Sequence, residues 1–350
     1  MRVSTILRVG QKNAEIQLRK LLGRPARPYK VLLELTYDCN SRCKTCDIWK
    51  TPFKLKKQHI QLPEIEATLK ELGSDLVWLA LSGGEITLYE NFDQVVALCK
   101  KHNPKLSLVT FTTNGIIPEK ALEYARTLKE AGYDLFVTVS LDGDKDTHDR
   151  IRGIPGNYES AQRTFELLKR ARIPTHYGIT IGDDNREFIE KQYSSYRDSM
   201  KAITFVSSGG IYAKSNSVDR GKRLDSLKTV LKAYRVRSPG EWIEKLFLRL
   251  AYRFFAQDEK RLPIPCEVIH SSLHIRPNGD IHPCMFLPPL GNIKRNSLRE
   301  TLASTSTTEA LEKIRQEKCP KCWLNCYAPH SILLHPLKSI TAALIGPPQT

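Results

Sequence analysis

Between residues 31 and 206 the chain alternates short β-branched or apolar runs with longer stretches whose apolar residues recur at helical spacing. The runs at 31–36, 76–81, 106–111, 134–141, 175–181 and 202–206 predict strands. Helices are predicted near 62–73, 91–102, 118–131, 158–171 and 185–199; Leu122, Ala125, Leu128 and Ala131 illustrate the spacing. Repeated strand–helix units of this kind specify an α/β fold with a parallel sheet. Six of them wrap into a partial barrel.

Past residue 206 the pattern changes. Residues 207–223 are rich in small and charged side chains and read as a loop that ends the core. A helical region from 224 to 258 is broken at Ser238-Pro239-Gly240. Its second half puts Ile243, Leu246, Phe247, Leu250, Ala251 and Phe254 on one face, which predicts packing against the core. The extra aromatics Trp242, Tyr252 and Phe255, next to Arg249 and Arg253, allow the sharper reading of a substrate wall or a lipid-contacting surface. Arg276-Pro-Asn-Gly-Asp reads as a hairpin turning at Asn278-Gly279. The expected organisation is a basic N-terminal segment (1–27), a core barrel (28–223), a helical linker (224–262), a small α+β extension (263–330) and a tail (331–350). The tail is read as a short docked helix followed by a frayed end.

With 350 residues, 41% of them hydrophobic, the chain can bury a full core. No run approaches the roughly 18 apolar residues a membrane span needs, and no apolar signal-peptide region precedes the first strand. A cytoplasmic protein is expected. Residues 1–30 hold eight Lys or Arg against the single acid Glu15, supplying +7 of the net +16, and this composition also suits a transit peptide. Such a balance attracts polyanions in general. No RNA-recognition sequence or aromatic platform accompanies it, so nucleic acid is not the expected partner.

The nine cysteines cluster at 39/43/46, 266/284 and 319/322/326, with Cys99 apart on a helix face as a buried apolar filler. An odd, clustered set suits metal ligation in a reducing compartment better than disulfides. Cys39, Cys43 and Cys46 directly follow the first predicted strand, where parallel barrels carry their reactive groups. Three thiolates fall one short of closing a cubic iron–sulfur cluster, and the iron left open is where a substrate or cofactor binds. The zinc alternative needs a fourth ligand, and residues 30–70 offer no second Cys-x2-Cys or His pair.

This Cys-x3-Cys-x2-Cys run resembles the signature of the radical S-adenosylmethionine (radical SAM) enzymes, departing from it at Thr45, where the family usually has an aromatic residue. The resemblance implies a TIM-like partial (β/α)6 barrel in which a reduced 4Fe-4S cluster cleaves SAM to a 5'-deoxyadenosyl radical that abstracts hydrogen from a substrate. It implies SAM-binding roles for Gly83, Gly84 and Glu85, with paired glycines admitting the ligand and Glu85 taking its ammonium. Ser140 and Asp142 are implied near the ribose and carboxylate, Asn114 as a further candidate, and Arg152 as a partner of the carboxylate. Taken alone, each is equally a turn or cap residue.

Cys266, Cys284, Cys319, Cys322 and Cys326 resemble the SPASM/Twitch extension of that superfamily, which clamps an auxiliary 4Fe-4S cluster. A closed cluster takes four ligands; Cys266, Cys284, Cys319 and Cys322 are the first choice, with Cys326 the spare or the replacement. Four cysteines would equally suit structural zinc. Relatives that oxidise alcohols or thiols often carry an acid just after the hairpin cysteine, where this chain has Met285, and no other general base is evident. The expected partners are a small-molecule, lipid or peptide substrate and an electron donor such as flavodoxin or ferredoxin, with peripheral membrane contact also open. The competing readings are a non-catalytic two-cluster electron carrier and a basic nucleic-acid-binding protein with a zinc site.

Overall fold

The computed structural model describes residues 1–344 except 211, 215 and 217. Its strands are β1 (Lys30–Glu34), β2 (Trp78–Ser82), β3 (Leu108–Thr113), β4 (Asp134–Ser140), β5 (Thr175–Ile181), β6 (Met200–Phe205), β7 (Ser272–Ile275), β8 (Asp280–His282) and β9 (Gly291–Asn292). Its helices are α1 (Val3–Leu21), α2 (Phe53–Lys56), α3 (Leu62–Leu72), α4 (Phe92–His102), α5 (Pro118–Glu130), α6 (Lys145–Arg152), α7 (Asn157–Arg170), α8 (Arg186–Tyr196), α9 (Arg220–Ala233), α10 (Pro239–Ala256), α11 (Leu298–Ala303), α12 (Thr305–Arg315), α13 (Ala328–Leu334) and α14 (Pro336–Leu344).

The sheet runs β6-β5-β4-β3-β2-β1-β7-β8-β9 and does not close. Every neighbour pair from β6 to β7 is parallel, so the C-terminal ends of six consecutive barrel strands share one rim. The chemistry of the strands alternates. Leu79, Leu81, Val109, Phe111, Leu135, Val137 and Val139 are buried with the helices in one core, and Tyr177 of β5 stacks on Phe165 of α7 with ring centroids 4.0 Å apart. The opposite alternation is polar and only half-covered. There Trp78 donates to Thr110 Oγ1 (3.1 Å) and Thr138 Oγ1 meets His176 Nε2 (2.9 Å).

The C-terminal hairpin continues the barrel sheet. β7 pairs in parallel with β1, Lys30 opposite Ser272 and Leu33 opposite Ile275. The turn to β8 uses Gly279 at φ 90°, a conformation that favours glycine.

Three local features depart from the sequence reading. Residues 1–27 are not merely a basic segment, since 3–21 form α1. The helical break falls before Pro239: Ser238 caps α10, accepting from Glu241 N–H at 3.3 Å, and Pro239 and Gly240 sit in its first turn, where a missing amide hydrogen costs nothing. The expected tail helix is α13 followed by α14, while the frayed end expected at 345–350 lies outside the described residues. The second half of the linker packs as its periodicity predicts, with Leu246, Phe247, Leu250, Ala251 and Phe254 buried; Phe255 joins them, and Trp242 is left exposed. Cys99 is a buried filler of α4.

Candidate functional site

Residues 35–47 leave β1 at the rim and carry Cys39, Cys43 and Cys46, each half-buried. Backbone contacts hold this loop on both sides. Arg42 and Lys44 N–H donate to the carbonyls of Arg152 (2.9 Å) and Ile151 (2.9 Å) at the end of α6, and Cys46 pairs with Tyr212 in an antiparallel bridge. Gly153 permits the first contact, since a Cβ there would lie 2.6 Å from the Arg42 carbonyl oxygen.

The second strand end approaches the same loop. Gly84 N–H donates to Thr36 O and Glu85 N–H to Asp38 O, both at 2.7 Å. A Cβ at Gly83 would stand 2.5 Å from Thr36 O, and one at Gly84 2.1 Å from Asp38 O. The paired glycines therefore admit the chain's own cysteine loop, a reason not evident from the sequence. Glu85 is 2% exposed. Its carboxylate accepts from Thr87 Oγ1 (2.8 Å), Thr113 Oγ1 (2.7 Å) and the Asn114 amide (2.7 Å), tying the ends of β2 and β3 together. Burial raises its pKa in spite of those bonds.

Asn114 donates its side-chain amide to Asn40 Oδ1 (2.7 Å) and Ser41 Oγ (2.9 Å), inside the cysteine loop. Ser140 ends β4 and is buried. Asp142 is 2% exposed, accepts from Thr180 N–H (2.9 Å), and is ion-paired to Arg152 Nε at 2.7 Å. Arg152 also points Nη1 at Cys43 Sγ, 3.8 Å away. Burial alone would lower the Arg152 pKa, but Asp142 and then Cys43 outweigh it and the guanidinium is held charged. Of the seven residues picked from the sequence, the two glycines, Glu85, Asn114 and Arg152 contact the cysteine loop, Asp142 reaches it through Arg152, and Ser140 ends β4 on the same rim, with Asp142 and Glu85 occupied by protein donors.

The C-terminal cysteines gather next to β1. Cys322 lies among Cys266, Cys284, Cys319 and Cys326, whose negative charges join burial in pushing its thiol well up. Cys326 faces Lys30 and Glu34 instead, and Lys30 Nζ donates to its carbonyl at 2.9 Å. Both cysteine sets fit an iron–sulfur cluster by the chemistry of their donors, since each gathers three or more thiols in a short span of the fold; burial first, and neighbouring cysteines after it, raise those thiols, Cys39 to about 11 and Cys46 and Cys266 to about 12. Among the described residues no three His, Cys, Asp or Glu stand close enough together to hold a single metal ion.

A connection between the sets escaped the sequence. Tyr212, bridged to Cys46, stacks on Phe286 at 6.3 Å, two residues after Cys284. Behind it lies a buried polar group: Glu34 Oε1 is 2.9 Å from His274 Nε2, and their side chains are 2% and 0% exposed. Burial would raise the Glu34 carboxyl, but His274, Arg276 and His282 outweigh it and hold the pKa down. A lone acid within Val31-Leu-Leu-Glu-Leu was its only signal. Two clefts flank Tyr212's loop. One, of about 250 Å³, is lined by Thr45, Ile151, Thr180, Asn185 and Asn216. The other, of about 300 Å³, is lined by Phe254, Phe255, Phe286, Cys322 and Trp323, and both share Val206, Asn216 and Val218.

Comparison with known proteins agrees with this architecture. Residues 33–191 match the model of the radical SAM superfamily. The chain thus carries a radical SAM domain, which implies a 4Fe-4S cluster and SAM as its cofactors. Residues 266–327 match the SPASM model, an iron–sulfur cluster-binding domain, so a C-terminal auxiliary iron–sulfur domain accompanies it.

Among curated relatives, pre-heme d1 synthase of Dinoroseobacter shibae is 30% identical over 202 residues, covering 57% of this chain and 48% of that protein. The sporulation killing factor maturation protein SkfB of Bacillus subtilis is 24% identical over 281 residues, covering 78% and 64%. The chain thus spans about half the length of the first relative and less than two thirds of the second. Among solved structures, anSMEcpe with bound AdoMet and Cp18Cys peptide has the same fold (TM-score 0.61, 19% identity, 91% of this chain and 99% of that one). Among the described residues no helix is long and apolar enough to cross a membrane.

Proposed function

We propose that this chain is an enzyme that binds SAM at a 4Fe-4S cluster held by Cys39, Cys43 and Cys46 and removes a hydrogen atom from a substrate seated in the cleft between the two cysteine sets. The observation that carries the reading is the placement of both sets along one path. The pairing of β7 with β1 and the Cys46–Tyr212–Phe286 contacts put the second set beside the same rim of the barrel. When bound, the cluster and SAM supply one-electron reductive cleavage, which yields a carbon radical.

The chain's own residues position and protect. Arg152, charged and fixed by Asp142, lies against Cys43 and offers its remaining N–H groups to a carboxylate. Ser140 and Asn114 are the other polar groups at the strand ends, and Glu85 fixes the spacing of β2 and β3 beneath them. Cys266, Cys284, Cys319 and Cys322 hold the auxiliary cluster, with Cys326, which lies near Cys322 but also faces Lys30 and Glu34, as the spare. The cleft sets an aromatic wall of Phe254, Phe255, Phe286 and Trp323 against polar Ser207, Ser208, Arg223, Glu259 and Lys321, which suits a substrate with both an apolar and a polar part.

Met285 follows the hairpin cysteine, so no carboxylate stands there to accept a proton, and the buried Glu34 is already paired with His274. A small acidic electron carrier of the flavodoxin or ferredoxin type complements the basic chain. The test is anaerobic reconstitution followed by reduction with SAM present. About eight irons per chain and release of 5'-deoxyadenosine are expected; reconstitution to about four irons, with zinc at the second set, contradicts the two-cluster reading.

A further inference from the structure

Helix α1 is mounted with its apolar face outward. Its buried residues are Thr5, Lys12 and Ile16, a mostly polar set. Thr5 Oγ1 donates to Asp134 at 2.6 Å, Arg8 Nη1 to Ser107 Oγ at 2.6 Å, and Lys12 Nζ is ion-paired to Asp75 at 2.6 Å. Those partners stand at the starts of β4, β3 and β2, so α1 covers the end of the barrel opposite the cysteine rim. On the other side, Val3 (71% exposed), Ile6 (46%), Leu7 (60%), Leu18 (57%) and Leu21 (84%) line up at helical spacing with exposed Gly10 and Ala14. An amphipathic helix ordinarily buries that stripe. Here hydrogen bonds and an ion pair dock the polar face and leave the apolar one free, and Leu22 (55%) extends it just past the C-terminal end.

We propose that the outward stripe of α1 is a docking surface for an anionic lipid bilayer. The choice of occupant rests on charge. Arg19, Arg24 and Arg27 stand at the end of the stripe where Leu21 and Leu22 are most exposed; Arg24 and Arg27 are exposed and Arg19 meets only the Pro25 carbonyl, whereas Lys20 is taken by Glu267 and Lys12 by Asp75. Apolar side chains flanked by cations are the composition that sinks into the boundary between headgroups and acyl chains. A second copy of the chain would oppose one set of these arginines to another, and like charges across an apolar contact disfavour it. Docking by this face holds the cysteine rim away from the bilayer, so it tethers the protein and leaves the cleft open to a substrate from solution. The inference does not depend on the proposed reaction.

The experiment is co-sedimentation of the full chain with vesicles of phosphatidylcholine alone and of phosphatidylcholine with one third phosphatidylglycerol, alongside sedimentation equilibrium without lipid. Binding to the anionic vesicles is expected, weakening as salt rises from about 0.1 M to about 0.5 M. The paired substitution Leu7→Gln and Leu18→Gln touches none of α1's docking bonds; it should leave the melting temperature unchanged and cut vesicle partitioning by about tenfold or more. Failure to bind anionic vesicles, equal binding by the paired variant, or a lipid-independent dimer that the variant abolishes would overturn the proposal.

Discussion

Replacing Gly84 with alanine tests whether the second strand end shapes the cysteine loop. The added methyl would lie 2.1 Å from Asp38 O, 2.6 Å from Asp38 C and 2.9 Å from Tyr37 O, all backbone atoms that no rotamer change can move aside. To reach ordinary contact, the segment just before Cys39 must retreat by about an ångström, which strains the 2.7 Å bonds from Gly84 N–H and Glu85 N–H and costs about 2–3 kcal/mol of stability. Gly84 is not in the left-handed region, so the effect is steric and local. Reconstituted Gly84→Ala protein should lose the iron of the first site while keeping that of the second, falling from about eight to about four irons per chain. Its urea midpoint should drop in step. The control is Gly156→Ala, where the Cβ meets nothing within 4 Å; its φ of 79° costs about 1 kcal/mol and should leave iron content alone. A Gly84→Ala protein with full iron and an unshifted midpoint would refute the account of the loop.

Cys322→Ala should abolish the auxiliary iron and Cys326→Ala should keep it, measured as iron and sulfide per chain; the reverse order would exchange the two cysteines' roles. Arg152→Gln leaves the Asp142 carboxylate buried without its cation and should destabilise the fold by about 3 kcal/mol in urea, while adding Asp142→Asn should recover more than half of that; a loss too small to measure would show the pair to be solvated. Burial raises the Glu244 carboxyl to about 8, and its Oε1 has no partner. Because its folded pKa lies above the unfolded one, its cost to the fold starts near pH 4.5 and grows to about pH 8. The melting-temperature gain of Glu244→Gln should therefore widen from pH 5 to pH 8 and then level off, whereas a gain largest at pH 5 would show the sign to be wrong.

The barrel was legible because packing imposes a period on it. Alternate residues of β2, β3 and β4, such as Leu79, Leu81, Val109, Phe111 and Val137, meet helices, and each intervening helix repeats its own stripe. The strands fell within two residues of their predicted starts and ends, and Gly83, Gly84, Glu85, Asn114, Ser140 and Asp142, at or just past the ends of β2, β3 and β4, lie where a parallel rim gathers them. What stayed hidden depends on contacts distant in sequence. Nothing in Ser272–Ile275 says that it adds to β1, some 240 residues away, or that Arg152 reaches Cys43. The reason for Gly83 and Gly84 was hidden similarly, because the Thr36 and Asp38 carbonyls that crowd them belong to another strand's loop. Helix α1 escaped for the opposite reason: its charges are conspicuous in composition, but only the structure shows that Thr5 and Lys12 face inward while Leu7, Leu18 and Leu21 face outward.

The central claim is that the thiols of Cys39, Cys43 and Cys46 together hold a cluster with one iron open to SAM. It is tested most directly by pulsed electron–nuclear spectroscopy of the reduced, reconstituted protein with SAM labelled at its amino nitrogen. The account predicts a nitrogen coupling large enough for direct ligation to one iron, lost in a Cys43→Ala variant. A cluster whose spectrum is unchanged by SAM, with no coupling to the label, would contradict it.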